Sequence, residues 1–337
     1  MKQKGFQTLE HELATILAST GRYLPEKAIA NQDLRQFPPQ TLSMIEEKTG
    51  VLFRRVAASE DCTSDLAARA AQDCLAKGHF DPLQIQGIIL ATSSPDRMQP
   101  ATAARVQHLI GAKNAFALDI NSVCSGSTFG IAMADGFIRS GQAEYILLIA
   151  AELYSRILNP KDFATFPFFG DGAGAVLLRK GTRSEGGVFR SLLQTDGSGH
   201  DVICVPAGGT QLPFSQITNP RSTFFRMRGP EVFSFALEKI PLMIKKIITD
   251  ADLSLDDITC FICHQANINI IHKIAEQLNI PPDRFFINLD KYGNTAGASV
   301  LIALDEALDE KIIKTGDKIV TVAFGGGLSW GANLIQI

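Results

Sequence analysis

The sequence predicts an α/β protein made of two similar halves, and three observations carry the prediction. Short apolar runs alternate with stretches of helical spacing, which is the pattern of a wound sheet or an α/β sandwich. A stretch of the first half is echoed in the second. Polar and small residues gather where the apolar runs stop, which is where sites form in such folds. At 337 residues the chain also exceeds the roughly 100 to 200 expected of one domain, so two halves are expected on length alone.

Taken in order, residues 86–92 (QGIILAT) read as a β-strand. Residues 101–110 (ATAARVQHLI) read as a helix, with Gly111 as its stop. Residues 114–121 form a second apolar run, 125–139 have helical spacing up to Ser140-Gly141, and 144–150 are a buried strand. Residues 117–151 resemble residues 287–324, and one long repeat of this kind implies two domains facing each other across a pseudo-twofold axis. In the register that matches them, Cys124 falls on Asn294 (294 − 124 = 170) and His264 falls on Ser94. The polar stretch 180–185 (KGTRSE) marks the boundary, giving halves at 1–182 and 183–337. Residues 192–228, rich in Gly, Pro, Ser and Thr, read as loops or a lid above the core.

Composition narrows the function. The formal net charge of −3 gives no electrostatic footprint for nucleic acid. Six scattered cysteines suit a reducing cytoplasm better than a disulfide scaffold. The first twenty residues mix Glu and His where an export signal needs an apolar run, and runs such as 145–151 fall far short of the ~20 residues of a membrane helix. A soluble protein that binds no nucleic acid and no membrane is expected.

Cys124, in NSVCSGSTFG, sits between a strand and a helix among small residues that allow a sharp turn and a close substrate approach. A helix N-terminus can lower a cysteine pKa from about 8.5 into a range of roughly 3.5 to 7.5, although an inert buried cysteine has the same sequence. His264 and Asn267 lie in CHQAN at a strand end, and Asn294 lies in YGNTAGAS before a helix. A structural histidine and a helix cap are the alternatives for His264 and Asn294. The duplication places Cys124, His264 and Asn294 together as a nucleophile with two hydrogen-bond donors. Of the glycine runs, 170–176 (GDGAGAV) leads into a strand and lacks a phosphate-loop Lys, so close backbone packing is expected. The run 324–331 (FGGGLSWG) could turn backbone N–H groups toward an oxyanion or be a tight turn. Cys260 and Cys263 form a CxxC inside a strand, where they face opposite sides, and no histidine spacing completes a metal set; no metal is expected.

VCSGSTFG, HQAN, YGNTAGAS, FGDGAGAV and FGGGLSWG, in this order from about Ala14 to Ile337, resemble the β-ketoacyl-acyl-carrier-protein synthase III family. The resemblance implies the thiolase fold, a duplicated five-layer αβαβα architecture. It also implies an acyltransferase that loads an acyl group on Cys124 and condenses it with malonyl on acyl carrier protein by decarboxylative Claisen chemistry. His264 and Asn294 match the family's remaining catalytic pair, and the N–H groups of Cys124 and Gly326 match an oxyanion hole. No tightly bound cofactor is implied, only acyl-CoA or acyl-carrier-protein thioesters. A homodimer is implied, with Gln99, beside Met98, standing where a partner phenylalanine lines the acyl tunnel. A chalcone-synthase-like reading fits less well, and ATSSPD has Ser93 where hydroxymethylglutaryl-CoA synthase carries a glutamate base. The chain departs from the family at the adenine site, where Met44 and Phe163 replace a tryptophan and an arginine. It departs again at carrier-docking positions, where Asn269, Ser234 and Glu276 stand in place of basic residues. Arg226, Arg228, Lys239, Lys245, Lys246 and Lys273 could form another positive rim. Two further readings stay open: acyl transfer from Cys124 to an amine, alcohol or β-keto thioester, and a catalytically silent partner subunit.

Overall fold

The computed structural model describes residues 13–337; His11 and most of the N-terminal stretch read above for an export signal lie outside the described residues. The chain starts with β1 (Leu13–Tyr23), then a ribbon of β2 (Ala28–Ala30) and β3 (Phe53–Arg55) that brackets helix α1 (Pro39–Thr49). Helix α2 (Thr63–Gly78), β4 (Gly87–Ala91), α3 (Thr102–Ile110), β5 (Phe116–Ile120), α4 (Gly126–Arg139), β6 (Tyr145–Glu152) and β7 (Gly172–Thr182) follow. They complete a five-stranded sheet in the order β1-β7-β6-β4-β5. After Thr182 the chain passes to β8 (Gly187–Thr195), the short β9 (Ile203–Cys204) and β10 (Arg226–Met227), and the long helix α5 (Gly229–Thr249). Strand β11 (Cys260–Cys263), α6 (Ile268–Leu278), the single turn α7 (Leu289–Tyr292), α8 (Ser299–Asp309), β12 (Lys318–Gly325) and β13 (Ser329–Gln336) end it. The second sheet runs β11-β12-β13-β8.

The strands read as continuous apolar runs because both faces are covered. In β6, Ile146, Leu148 and Ala150 join the core between the sheets, whereas Leu147, Ile149 and Ala151 face α2 and α3. In β12, Ile319 and Ala323 face inward, and Val320, Val322 and Phe324 face α5 and α6. Helices α4 and α8 lie between the two sheets, giving five layers, αβαβα. The CxxC divides as its spacing requires, with Cys260 in the inner core and Cys263 in the outer one. Gly174 lets β7 press onto α8, since a Cβ there would lie 2.6 Å from Leu301 Cβ and 2.8 Å from Ile302 N.

The two sheets share one plan: β1, β7, β6 and β4 correspond to β8, β13, β12 and β11, with the same parallel and antiparallel pairings. A single parallel bridge, Phe261 to Phe285, takes the place of β5. The helices fix the register, because α4 begins at Gly126 and α8 at Ser299 (299 − 126 = 173). The register expected from sequence is therefore three residues short. At 173 the counterpart of Asn294 is Asn121, that of Cys124 is Gly297, and that of His264 is Ala91 instead of Ser94. Hydrogen bonds agree: Asn121 Oδ1 accepts from Val123 N and Asn294 Oδ1 accepts from Ala296 N, the same turn in each half. The lid expectation also shortens, because Leu192 to Thr195 continue β8 against β13; the turn-rich chain starts only at Asp196.

Candidate active site

Cys124 stands where β5 turns into the central helix α4. The Asn121 side chain closes the turn, Val123 is held at φ 47°, a left-handed conformation costly for a β-branched residue, and a 3₁₀ turn over Val123–Ser125 leads into α4. The strand end of the other half closes over it: a Cβ on Gly325 would lie 2.7 Å from Cys124 N and 2.9 Å from Cys124 Cβ. Glycine is required there for this approach. The residue is 5% exposed. Burial pushes its pKa up and the nearby Glu152 pushes it further. Both effects oppose the lowering expected of a helix N-terminus, because desolvation and a neighbouring negative charge each disfavour the thiolate.

His264 follows β11, its backbone N donating to Val322 O at 2.8 Å. Its ring is buried, lies edge-on to Phe324 with centroids 5.4 Å apart, and places Nδ1 2.7 Å from Ser299 Oγ. Gln265 N donates to that same hydroxyl at 3.3 Å, which leaves the Ser299 hydrogen for Nδ1. This arrangement favours a proton on Nε2, a donor available to the site. Burial lowers the His264 pKa to about 3, so the ring is neutral. Asn294 is held by its backbone, which donates to Phe168 O at 2.8 Å and accepts from Gly170 N at 3.0 Å. With its Oδ1 accepting from Ala296 N at 2.8 Å, its amide orientation is fixed and its Nδ2 hydrogens are left to donate.

A cavity of about 350 Å³ runs over this region, lined by Asn294, Asn267, Ala266, Phe169 and Met227, with the exposed Lys48 also on its wall. Asn267 caps α6, accepting from Asn269 N at 2.8 Å and donating to Lys48 O at 2.8 Å, so its side chain fastens the channel wall to α1. Phe163 sits among aromatic rings, edge-on to Phe37 at 5.2 Å, and Met44 is half-buried on α1. Arg228 is the residue before α5, pairs with Glu231 at 2.7 Å and lines neighbouring cavities on the lid side. Gln99 is exposed beside Met98 and does not line this cavity. Gly326 approaches Val123, with a Cβ position 3.0 Å from Val123 Cγ2.

Sequence reasoning missed Glu152 and the residues around it. This buried carboxyl ends β6 and accepts hydrogen bonds from Ser93 and Ser94. Burial drives its pKa up to about 7 against the pull of those bonds. The available signal was a lone acid closing an eight-residue apolar strand. Among the described residues no cluster of three or more His, Cys, Asp or Glu could hold a metal, and no helix is long and apolar enough to cross a membrane.

Comparison with known proteins agrees over nearly the whole chain. Residues 118–197 match the profile of 3-oxoacyl-[acyl-carrier-protein] synthase III, and residues 248–337 match that of its C-terminal part. The chain is 41% identical over 320 residues to a β-ketoacyl-[acyl-carrier-protein] synthase III of Clostridium acetobutylicum, covering 95% of this chain and 98% of that one. It is 41% identical over 327 residues to the protein of the same name from Caldanaerobacter subterraneus, covering 96% and 98%. Among solved structures, the 3-oxoacyl-[acyl-carrier-protein] synthase III of Aquifex aeolicus superposes with a TM-score of 0.87 at 34% identity, covering 96% of this chain and all of that one. OleA of Xanthomonas campestris, at 16% identity and a TM-score of 0.82 over 96% and 98% of the two chains, shares the fold alone.

Proposed function

The chain belongs to the 3-oxoacyl-[acyl-carrier-protein] synthase III family, of thiolase fold, and from that premise we propose how its own residues carry out the acyl transfer and condensation of the family. Cys124 Sγ attacks the carbonyl of an acyl thioester and the donor thiol leaves with a proton, so the enzyme holds the acyl group as a thioester. The N–H groups of Cys124 and Gly326 receive the oxyanion of the tetrahedral centre. A malonyl thioester then lies along the channel, its carbonyl accepting from His264 Nε2–H and Asn294 Nδ2–H. Those two donors stabilise the enolate left when CO₂ departs. The enolate carbon attacks the acyl carbon, Cys124 leaves as a thiolate that takes up a proton from water, and a 3-oxoacyl thioester departs.

The observation that carries this reading is the junction of the halves. The glycine end of β12 seats Cys124, while His264 and Asn294 are buried, neutral and locked with donors to spare. A neutral imidazole suits enolate stabilisation because it donates without needing to lose a proton. Intact-protein mass measurement after incubation with acyl-CoA and acyl-carrier-protein panels tests it: a defined acyl mass should appear on the wild type and not on Cys124→Ala.

The division at residues 182/183 belongs to the same proposal, as do a cytoplasmic location, which six free thiols suit, and a homodimer, which the half-exposed edge strand β5 favours. Docking of an acidic carrier would rest on Arg226, Lys245 and Lys273, which are exposed, because Arg228, Lys239 and Lys246 are engaged by Glu231, Glu238 and Asp250.

A further inference from the structure

Glu152 is fully buried and makes no ion pair among the described residues. Its carboxyl accepts from Ser93 N at 3.1 Å, Ser93 Oγ at 2.9 Å and Ser94 Oγ at 2.5 Å. Ser93 Oγ lies 3.0 Å from the phenol of Tyr154, itself fully buried, stacked on Phe169 at 4.9 Å and edge-on to Phe225 at 5.3 Å. The carboxyl is wedged between the two matching turns of the halves, since a Cβ on Gly297 would lie 3.2 Å from Glu152 Oε1 and 2.9 Å from Val123 O. The titratable groups that face it are Cys124, from the turn before α4, and Tyr154, from the loop after β6. One strand over, Asp171 is occupied by Ala57 N, Ser155 N and Ser155 Oγ at 2.9, 2.9 and 2.6 Å. The Thr92–Ser94 turn and the 296–298 turn bring no charge.

A neutral amide could accept from the same serines, whereas a buried carboxylate without a cation is costly. The charge itself is therefore the feature to explain. We propose that Glu152 is a positioning residue for the loading half-reaction: it draws the Ser93–Ser94 turn and the Tyr154 phenol against the back of Cys124, and its charge sets how readily Cys124 gives up its proton. With Glu152 protonated, the thiol ionises against burial alone. With Glu152 ionised, it must also ionise against a neighbouring negative charge. Thiol reactivity then climbs with pH, flattens while Glu152 titrates, and climbs again.

The proposal rests on Cys124 being the acylated nucleophile, but its test reads the thiol directly. Wild type and Glu152→Gln are alkylated with iodoacetamide from pH 5 to 9.5, and the rate at Cys124 is followed by peptide mass mapping, which separates it from Cys62 and Cys204. The wild type should show a flat step near pH 7, and Glu152→Gln should lose the step and react as if its midpoint lay about one pH unit lower or more. A single unbroken limb in the wild type overturns the proposal, and this arm needs no variant to fold. Coincident profiles for wild type and a folded Glu152→Gln overturn it as well. If the step is present but no thioester loads Cys124, the proposed acyl chemistry fails and the electrostatic coupling stands.

Discussion

Replacing Gly325 by alanine tests whether the second half seats the nucleophile of the first. The added methyl would meet the backbone of Cys124, 2.7 Å from its N and 2.9 Å from its Cβ, and backbone cannot swing away as a side-chain tip can. Restoring an ordinary contact of 3.4 Å requires the turn or β12 to move by about 0.7 Å (3.4 − 2.7). Displacements of about 1 Å at a reacting group cost about 100-fold in rate, so Gly325→Ala should load acyl groups on the order of 10- to 100-fold more slowly. Overpacking adds about 1–3 kcal/mol of destabilisation. Gly136→Ala is the control: it lies in α4, nothing is within 4 Å of its Cβ position, and it should gain about 0.5–1 kcal/mol as alanine replaces glycine in a helix. Time courses of acyl-enzyme mass and thermal unfolding would be read for both variants. Loading by Gly325→Ala within about twofold of the wild type would refute the idea that close approach of this strand end positions Cys124.

Asn294→Ala should slow malonyl decarboxylation more than loading, measured as CO₂ release against acyl-enzyme mass; equal losses in the two half-reactions would remove the role given to its amide. Acid titration should separate His264 from Glu152. His264 is held down to about 3 from 6.5, so its stability contribution is present above pH 6.5 and is lost as pH falls toward 3. Glu152 is raised to about 7 from 4.5, so its contribution is present below pH 4.5 and is lost as pH rises through 7. Between pH 5 and 6.5 the two slopes, each roughly 1.4 kcal/mol per unit, oppose one another; Glu152→Gln should therefore lose stability toward acid more steeply than the wild type in denaturant melts, and parallel curves would contradict this. Sedimentation should give a dimer, and a stable monomer would exclude one.

Much of this molecule was legible in its sequence because its strands are buried on both faces and its helices end at marked stops. Residues 86–92 became β4, and α3 ends at Ile110 with Gly111 at φ 75°. Cys124 and His264 could be picked out because each follows a strand, and Asn294 because glycines bracket it just before a helix. The register of the repeat was not legible, since residues 117–151 and 287–324 match by composition over several offsets. Matching NSVCSG to NTAGAS by the leading asparagine yields 173, and the physical content of that match is one side-chain oxygen closing one turn. Glu152 was hidden for another reason. Nothing in a lone acid after IAA says that four residues distant in sequence will bring it three hydroxyls and a thiol.

The corrected register also explains why a duplicated fold holds one nucleophile and not two. Gly325 is the counterpart of Glu152 (325 − 152 = 173), and Gly297 that of Cys124 (297 − 124 = 173). Each strand end meets the turn of the opposite half: Gly325 meets Cys124, and Glu152 meets Gly297. At both junctions one member is glycine, because the backbones come too close for two side chains. A trade of side-chain size also occurs within each half, where His264 reaches Ser299 and its counterpart Ala91 packs on Gly126, 2.9 Å from the Cβ position. A symmetric pair of cysteines at the two turns would put the second thiol onto Glu152, and a symmetric pair of carboxylates would put one onto the nucleophile. The asymmetry at positions 124, 152, 297 and 325 is thus a single packing constraint, and it leaves one thiol seated on glycine with one buried carboxyl behind it.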